Sequence, residues 1–143
     1  MKKDQNNLVK DYFKTSDKSS YAGDHIIVDF WGASHLDDLV RMERAFKEAI
    51  EVSGATLLHI HLHSFSSTGG ISGVAVLSES HISVHTWPEK SYAAFDIFMC
   101  GNADAKLTIP IFEKIFLPKE IEIINLKRGE RPSNSTDILD LNF

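Results

Sequence analysis

The stretch SGVAVLSESHISVHTWPEKSYAAFDIFMCG, residues 72–101, decides the fold. Its apolar run at residues 74–77 is typical of the centre of a buried strand. Two further strands follow, joined by a turn at Pro88–Lys90, and they predict a hairpin. Where the first strand passes into the second, the chain carries hydroxyls, a carboxylate and imidazoles that an ordinary turn does not need. The segment that organises the sheet is therefore also the candidate functional segment.

Two helices are predicted on either side of this stretch. Residues 34–54 show apolar side chains at helical spacing and end at a glycine. Ser34 followed by Asp37 resembles a capping box at the start of this helix. A second helix is predicted over residues 103–116, in which Pro110 marks a kink or a late start.

The remaining regular segments are strands, predicted at residues 25–32, 55–65 and 119–129. The order of elements predicts an α+β fold, a two-layer α/β sandwich with a mainly antiparallel sheet and helices on one face. Apolar residues at both alternations of the strands predict that the second face of the sheet is buried against another subunit. We therefore expect a homodimer formed through the sheet or its edge.

Length and composition limit the classes of protein. The chain has 143 residues, 1 cysteine and a formal charge of -5, which argue for one domain and against a nucleic-acid partner. No apolar run is long enough for a membrane span, and a single thiol suits the reducing cytoplasm. We expect a flexible leader at residues 1–24, a single domain at residues 25–129 and a loose tail at residues 130–143.

The motif HIHLH offers one alternative function. His59, His61 and His63 alternate along a predicted strand, so all three point to the same side of the sheet. Three imidazoles on one face are the ligands of many open zinc sites. A non-catalytic metal-binding module is therefore one hypothesis, although no carboxylate at a matching offset supports it.

The serines near the turn at Glu79 and Ser80 allow a different chemistry. No G-x-S-x-G motif surrounds Ser72, Ser78 or Ser80, so a hydrolase of that kind is not indicated. A serine held in a strained turn can instead attack the carbonyl carbon of the residue before it, aided by a nearby acid–base group. Elimination across the resulting ester leaves dehydroalanine, which hydrolyses to a pyruvoyl ketone.

The segment LSESHISVHTWPEKSYAAFDIFMCG closely resembles the self-processing core of the bacterial pyruvoyl-dependent S-adenosylmethionine decarboxylases of spermidine synthesis. The resemblance runs from about residue 25 to residue 129. It implies cleavage between Glu79 and Ser80, which turns Ser80 into a covalent pyruvoyl group. His85 would transfer protons during this processing, and Ser72 would support His85 or the developing oxyanion.

The resemblance also implies how the mature enzyme works. The substrate amine would form a Schiff base with the pyruvoyl group, and carbon dioxide would leave. Cys100 would return a proton to the α-carbon, Glu89 would hold the ribose hydroxyls and Phe65 would stack on the adenine. S-adenosylmethionine would thus become its decarboxylated form, without a metal and with two protomers meeting at their sites. A pyruvoyl-dependent decarboxylase of arginine or ornithine is the nearest alternative, since a fold does not fix a substrate.

Overall fold

A computed structural model describes residues 13–15 and 19–132. The chain forms nine strands and two helices in these ranges, with short 3-10 turns at Pro88–Lys90 and Ala105–Leu107. The strands are β1 (Lys14–Thr15), β2 (Ser19–Tyr21), β3 (Gly23–Trp31), β4 (Leu57–Ser64), β5 (Ile71–Leu77), β6 (Ser80–Trp87), β7 (Tyr92–Cys100), β8 (Glu120–Arg128) and β9 (Arg131–Pro132). The helices are α1 (Leu39–Ser53) and α2 (Thr108–Phe116).

The strands form one large and one small sheet. Six strands run in the order β4-β5-β6-β7-β3-β8, and every neighbouring pair is antiparallel. Three short strands form a second sheet in the order β1-β2-β9. The predicted hairpin of β6 and β7 lies at the centre of the large sheet, which confirms the α+β sandwich expected from the sequence.

The core lies between one face of the large sheet and the two helices. Alternate residues of β3 and β7, such as Val28 and Phe95, are almost fully buried on this face. Phe46 of α1 and Phe112 of α2 pack together with ring centroids 5.7 Å apart, and Phe112 stacks on Phe95 at 4.5 Å. Burying side chains of this size contributes about 1.5–3 kcal/mol each, so these aromatic contacts hold both helices on the same face.

The start of α1 differs from the expected capping box. The N-cap is Asp38, whose side chain accepts a hydrogen bond from the backbone N–H of Arg41 at 2.9 Å. The prediction based on Ser34 and Asp37 was wrong because both residues precede the N-cap, Ser34 by four positions and Asp37 by one. Gly54 ends the helix with φ 76°, as the sequence indicated.

The second helix begins later than its apolar pattern suggests. Ala105–Leu107 form a 3-10 turn and α2 starts at Thr108, so Pro110 lies in the first helical turn. A proline is tolerated there because the first N–H groups of a helix have no partner within it. The expected late start, rather than a kink, is what the structure shows.

Short strands also occur in segments for which the sequence predicts no regular structure. Lys14–Thr15, Ser19–Tyr21 and Arg131–Pro132 pair with one another in the small sheet. The rest of the predicted leader and tail lies outside the described residues. Among the helices that the structure describes, none is both long and apolar enough to cross a bilayer.

The other face of the large sheet, opposite the helices, is called here the open face. Cα partners across the sheet place Val74, Ser83, Asp96, Ile27 and Ile124 in one row of this face. The row includes three aliphatic side chains, Val74, Ile27 and Ile124, that are 37%, 37% and 56% exposed. The sheet therefore carries apolar residues on both faces, and the residues that the structure describes cover only one of them.

Candidate active site

Ser80 lies directly after the tight turn between β5 and β6. Leu77 and Ser80 are Cα partners, so only Ser78 and Glu79 make the connection. The φ angle of Ser80 is 125°, in a region that residues with a side chain rarely adopt. Such a conformation costs on the order of 1–3 kcal/mol, so the backbone is strained at the predicted cleavage site.

The carbonyl group before Ser80 is held by the neighbouring strand. The backbone N–H of Cys100 donates a hydrogen bond to the carbonyl oxygen of Glu79 at 2.8 Å. The Glu79 side chain is buried and accepts hydrogen bonds from the backbone N–H and hydroxyl of Thr56, at 2.8 and 3.3 Å. The carbonyl carbon that Ser80 would attack is therefore fixed in position and polarised by a backbone donor.

Cys100 ends β7 beside this turn. Ser80 pairs with Met99, the residue before Cys100, and the cysteine is half-buried. On its other side Cys100 pairs with Gly23 of β3, where an added Cβ would come within 2.3 Å of the Met99 carbonyl oxygen. A glycine at this position lets β3 approach the end of β7 closely.

Ser72 and His85 meet farther along the same strands. They are Cα partners on β5 and β6, and the Ser72 hydroxyl oxygen lies 2.9 Å from His85 Nδ1. The imidazole itself is exposed on the open face. A serine hydroxyl that contacts one ring nitrogen orients the ring and leaves the second nitrogen available for proton transfer.

Phe65 and Glu89 lie at the same end of the sheet as His85. Phe65 follows β4, is 45% exposed and contacts the His63 ring with centroids 4.8 Å apart. Glu89 is exposed in the 3-10 turn that follows β6. The loop after Phe65 closes against this turn, since a Cβ at Gly70 would contact Pro88.

The predicted site residues therefore form two groups within one protomer. Glu79, Ser80 and Cys100 form the cleavage group at one end of the sheet; Ser72, His85, Phe65 and Glu89 form the imidazole group towards the other end. Ser80 and His85 are five positions apart on β6, which corresponds to about 16 Å along an extended strand. The structure brings the members of each group together but keeps the two groups apart.

The three alternating histidines do not bring their ring nitrogens together as a metal site would require. His59, His61 and His63 pair with open-face positions of β5, which confirms that they share one side. In the described part of the chain, only His25, His81 and Asp96 bring three potential ligand atoms within 4.8 Å of one another.

The cluster of His25, His81 and Asp96 was missed from the sequence because its members come from three strands. Arg128 Nη1 donates to His25 Nδ1 at 3.0 Å, and His25 Nε2 hydrogen-bonds to Asp96. Because arginine only donates, His25 Nδ1 accepts, and Nε2 carries the proton that it donates to Asp96. That nitrogen has no lone pair for a metal, so the contacts form a hydrogen-bond network at the centre of the open face.

An aromatic stack, also missed, borders the imidazole group. Tyr92 lies between Trp31 and Trp87, with ring centroids 4.4 and 5.2 Å away. Its hydroxyl donates to Asp29 at 2.7 Å. The pKa of Tyr92 is raised to about 12, mainly by desolvation on burial and secondly by this hydrogen bond. Trp87 and Tyr92 flank the Pro88–Lys90 turn of the predicted hairpin, which is a sequence signal for their contact, whereas Trp31 comes from a distant strand. Taken with the strained turn, the architecture is that of an α+β protein with a strained strand junction, on a sheet of which the described residues cover one face.

Comparison with known proteins identifies the family. The sequence model of the S-adenosylmethionine decarboxylase family matches residues 24–129. The chain belongs to this family, since the match covers well over half of its length.

Individual relatives agree with the family assignment. S-adenosylmethionine decarboxylase proenzymes from Methanococcus maripaludis and Thermomicrobium roseum are 47% and 40% identical; each match covers 75% of this chain and 89% or 93% of the relative. The proenzyme from Geobacillus kaustophilus is 36% identical over 77% of this chain and 90% of its own. The crystal structure of the adenosylmethionine decarboxylase from Aquifex aeolicus superposes with a TM-score of 0.72 at 29% identity, covering 82% of this chain and 98% of that one.

Proposed function

We propose that this chain cuts its own backbone between Glu79 and Ser80 and that the mature protein decarboxylates S-adenosylmethionine for spermidine synthesis. The observation that supports the proposal most directly is the strained turn. Ser80 has φ 125° and the carbonyl oxygen before it accepts a hydrogen bond from the Cys100 N–H. A strained residue with a hydroxyl next to a polarised carbonyl is what an attack on its own backbone requires.

The cutting step uses residues of this chain alone. The Ser80 hydroxyl oxygen bonds to the Glu79 carbonyl carbon, the peptide C–N bond breaks, and the hydroxyl proton passes to the freed Ser80 nitrogen. The Cys100 N–H stabilises the oxyanion on the Glu79 oxygen, from its position 2.8 Å away. An ester then links the two parts of the chain.

A base completes the maturation. His85 removes the α-hydrogen of Ser80, and the bond between the Ser80 oxygen and its β-carbon breaks, so the Glu79 carboxylate leaves with the upstream chain. Water then replaces the nitrogen of the dehydroalanine, ammonia is released, and the downstream chain begins with pyruvoyl. Ser72 orients the imidazole through its contact with Nδ1. An imidazole suits this work because its ordinary pKa lies near neutrality.

The surroundings of Ser80 fit a pyruvoyl group. The new N-terminus is held in the ladder between β5 and β7, one position from Cys100 on the neighbouring strand. The pyruvoyl group supplies the carbonyl that accepts the electron pair released as carbon dioxide leaves. Cys100 gives a proton to the substrate α-carbon, as a neutral thiol at the end of a strand can do.

Two residues of the imidazole group bind the nucleoside in this proposal. The exposed Glu89 carboxylate accepts hydrogen bonds from the two ribose hydroxyls. The Phe65 ring, 45% exposed, stacks on the adenine. Both contacts select a nucleoside over arginine or ornithine, and the relatives are named for S-adenosylmethionine.

The distance between the two groups leads us to propose a homodimer with shared sites. His85 cannot reach Ser80 of its own protomer across about 16 Å of strand, so the imidazole group of one protomer serves the cleavage group of its partner. The apolar rows of the open face would become buried when two such faces meet. We also place the protein in the cytoplasm, where a free thiol stays reduced.

Intact-mass analysis of the purified protein tests the cleavage. We expect two fragments divided after Glu79, the second blocked to N-terminal sequencing, and an uncut chain for Ser80→Ala. Ser78→Ala is the matched control, because Ser78 is an exposed serine of the same turn and should not prevent cutting. A native chain that stays in one piece, or a Ser80→Ala chain that is cut, would refute the proposal.

A further inference from the structure

The ammonium group of Lys14 binds the loop that follows Cys100. Lys14 Nζ donates to the carbonyl oxygens of Gly101 and Ala103, at 2.9 and 2.6 Å, across 87 and 89 positions of sequence. The lysine side chain is half-buried. Hydrogen bonds from a charged donor are about twice as strong as those between neutral groups, so Lys14 holds two carbonyl groups of this loop together.

The segment that carries Lys14 is itself anchored. Lys14 pairs with Tyr21 between β1 and β2, and β2 pairs with β9. The N–H of Ala22 donates to the Arg128 carbonyl oxygen at 2.7 Å, and Lys127 Nζ lies 5.1 Å from the centre of the Tyr21 ring. The pKa of Tyr21 is raised, mainly because burial desolvates the hydroxyl and secondly because the charges of nearby carboxylates such as Asp24 disfavour its ionisation. The small sheet thus links Lys14 to β8 and, through it, to the large sheet.

The loop held by Lys14 sets the end of β7. Gly101 follows Cys100 directly and has φ 63°, so the chain turns sharply after the cysteine. Farther along, Ala103 is buried and the Asp104 N–H donates to the Ser53 carbonyl oxygen at 2.9 Å. The carbonyl of Gly101 lies between these anchors, and Lys14 is its partner.

We propose that Lys14 is a positioning residue for Cys100, acting through the Gly101 and Ala103 carbonyls. The inference rests on the proposed function, in which Cys100 delivers a proton to one particular carbon. The family match begins at residue 24, so this contact is contributed by a segment that precedes the matched domain. The N-terminal segment is then part of the active-site framework.

Loss of this contact has a defined chemical consequence. A displaced thiol protonates the carbon derived from Ser80 instead of the substrate α-carbon. Hydrolysis then releases the decarboxylated substrate as an aldehyde and leaves an N-terminal alanine that carries the substrate nitrogen. Each such error inactivates one active site. The number of turnovers completed before a chain is inactivated therefore measures how accurately the proton is delivered.

The first test measures the thiol in the absence of cleavage. Full-length Lys14→Met, Lys14→Arg and the control Lys47→Met are each made in a Ser80→Ala chain, where Cys100 is the only cysteine. Lys47 is an exposed helix lysine that pairs with Glu43. Because the loop opens more often without its cation, we expect iodoacetamide to alkylate the Lys14→Met chain about tenfold faster. Lys14→Arg and Lys47→Met should react like the parent.

The second test uses cleaved enzyme with Ser80 intact. Once cleaved, Lys14→Met should keep its KM but lose chains to N-terminal alanine after several-fold fewer turnovers, and Lys14→Arg should restore most of this number. Equal alkylation rates, or equal turnovers per lost chain, for Lys14→Met and Lys47→Met would overturn the inference. If Lys14→Met fails to fold, Lys14→Gln, which keeps one amide donor, replaces it under the same criteria.

The two proposals fail separately. Full and lasting activity of Cys100→Ala would refute the proton-donor role on which this inference rests, whatever Lys14 does. Unchanged alkylation in Lys14→Met would refute the positioning role and leave the decarboxylase assignment intact.

Discussion

At the scale of single residues, the strain at Ser80 is the feature on which the chemistry depends. Its positive φ follows from a connection of only two residues between β5 and β6, which closes the turn on Ser78 and Glu79. The Thr56 contacts hold the Glu79 side chain, so the turn cannot relax by moving that residue. Cutting the peptide bond before Ser80 releases the constraint.

Two uncuttable variants measure the strain directly. Ser80→Gly should be more stable than Ser80→Ala by about 1 kcal/mol, because glycine adopts this φ freely and the relief exceeds its larger loss of backbone entropy. Urea unfolding of both proteins gives the difference. Ser78→Gly against Ser78→Ala, each made in the uncuttable Ser80→Ala chain, is the matched pair at a turn residue that does not have positive φ, and there the glycine should not be favoured. An equal stability of the two Ser80 variants would remove the strain from the account.

At the scale of elements, the start of α1 is set by the side chain of Asp38 rather than by the expected capping box. Asp38 accepts a hydrogen bond from the Arg41 N–H, and this bond, ahead of the Arg41 side-chain contact, lowers the pKa of the Asp38 carboxyl. A carboxyl with a lowered folded-state pKa stabilises the fold above its ordinary pKa. That stabilisation is lost as the pH falls through the lowered value.

Removal of this cap should therefore have a pH-dependent cost. We expect Asp38→Ala to lower the free energy of unfolding by about 1 kcal/mol near neutral pH, with the difference shrinking as the pH falls below the ordinary carboxyl pKa of 3.8. Denaturant titrations at several pH values measure this. Asp38→Asn, which keeps the acceptor oxygen without the charge, is the control and should be nearly as stable as the native chain. A difference that stays constant down to strongly acidic pH would contradict the assignment.

At the scale of the whole molecule, the described residues cover only one of the two apolar faces of the large sheet. The two helices pack on one face, while the other carries Ile27, Val74, Val76 and Leu126 at 37–46% exposure. The hydrogen-bond network of His25, Asp96 and Arg128 lies among them. A second copy of the chain on this face would bury these side chains and bring the two separated residue groups together.

Mixed oligomers test whether the sites are shared. Full-length Ser80→Ala and His85→Ala chains should each fail to mature alone. When they are co-expressed, the intact Ser80 of the second chain meets the intact His85 of the first, and the His85→Ala chain should yield the downstream fragment with a blocked N-terminus. Intact mass distinguishes the chains. Co-expression of His85→Ala with a Ser80→Ala, His85→Ala double variant, which supplies no intact His85, is the control. A His85→Ala chain that never matures beside Ser80→Ala would refute sharing between protomers.

Residue patterns were enough to predict much of the fold. Period-two alternation in β6 and β7 and helical spacing in α1 depend on neighbours in sequence, so both were correct before any contact was known. The family resemblance also rests on a continuous segment, and the family match confirms it; the roles that it implies for Ser80 and Cys100 stay predictions. The cap at Asp38 was missed because several polar residues precede α1 and only the backbone angles distinguish among them.

The sequence by itself determined the family, the residues that we propose for the chemistry, and which faces of the strands are apolar. Only the tertiary structure decided that Ser72 contacts His85, that the Cys100 N–H holds the Glu79 carbonyl, and that Lys14 binds the loop after Cys100. The physical reason is the separation in sequence between the residues that interact. Alternation is a property of neighbouring residues, whereas hydrogen bonds between distant positions depend on strand order and register, which no local pattern specifies.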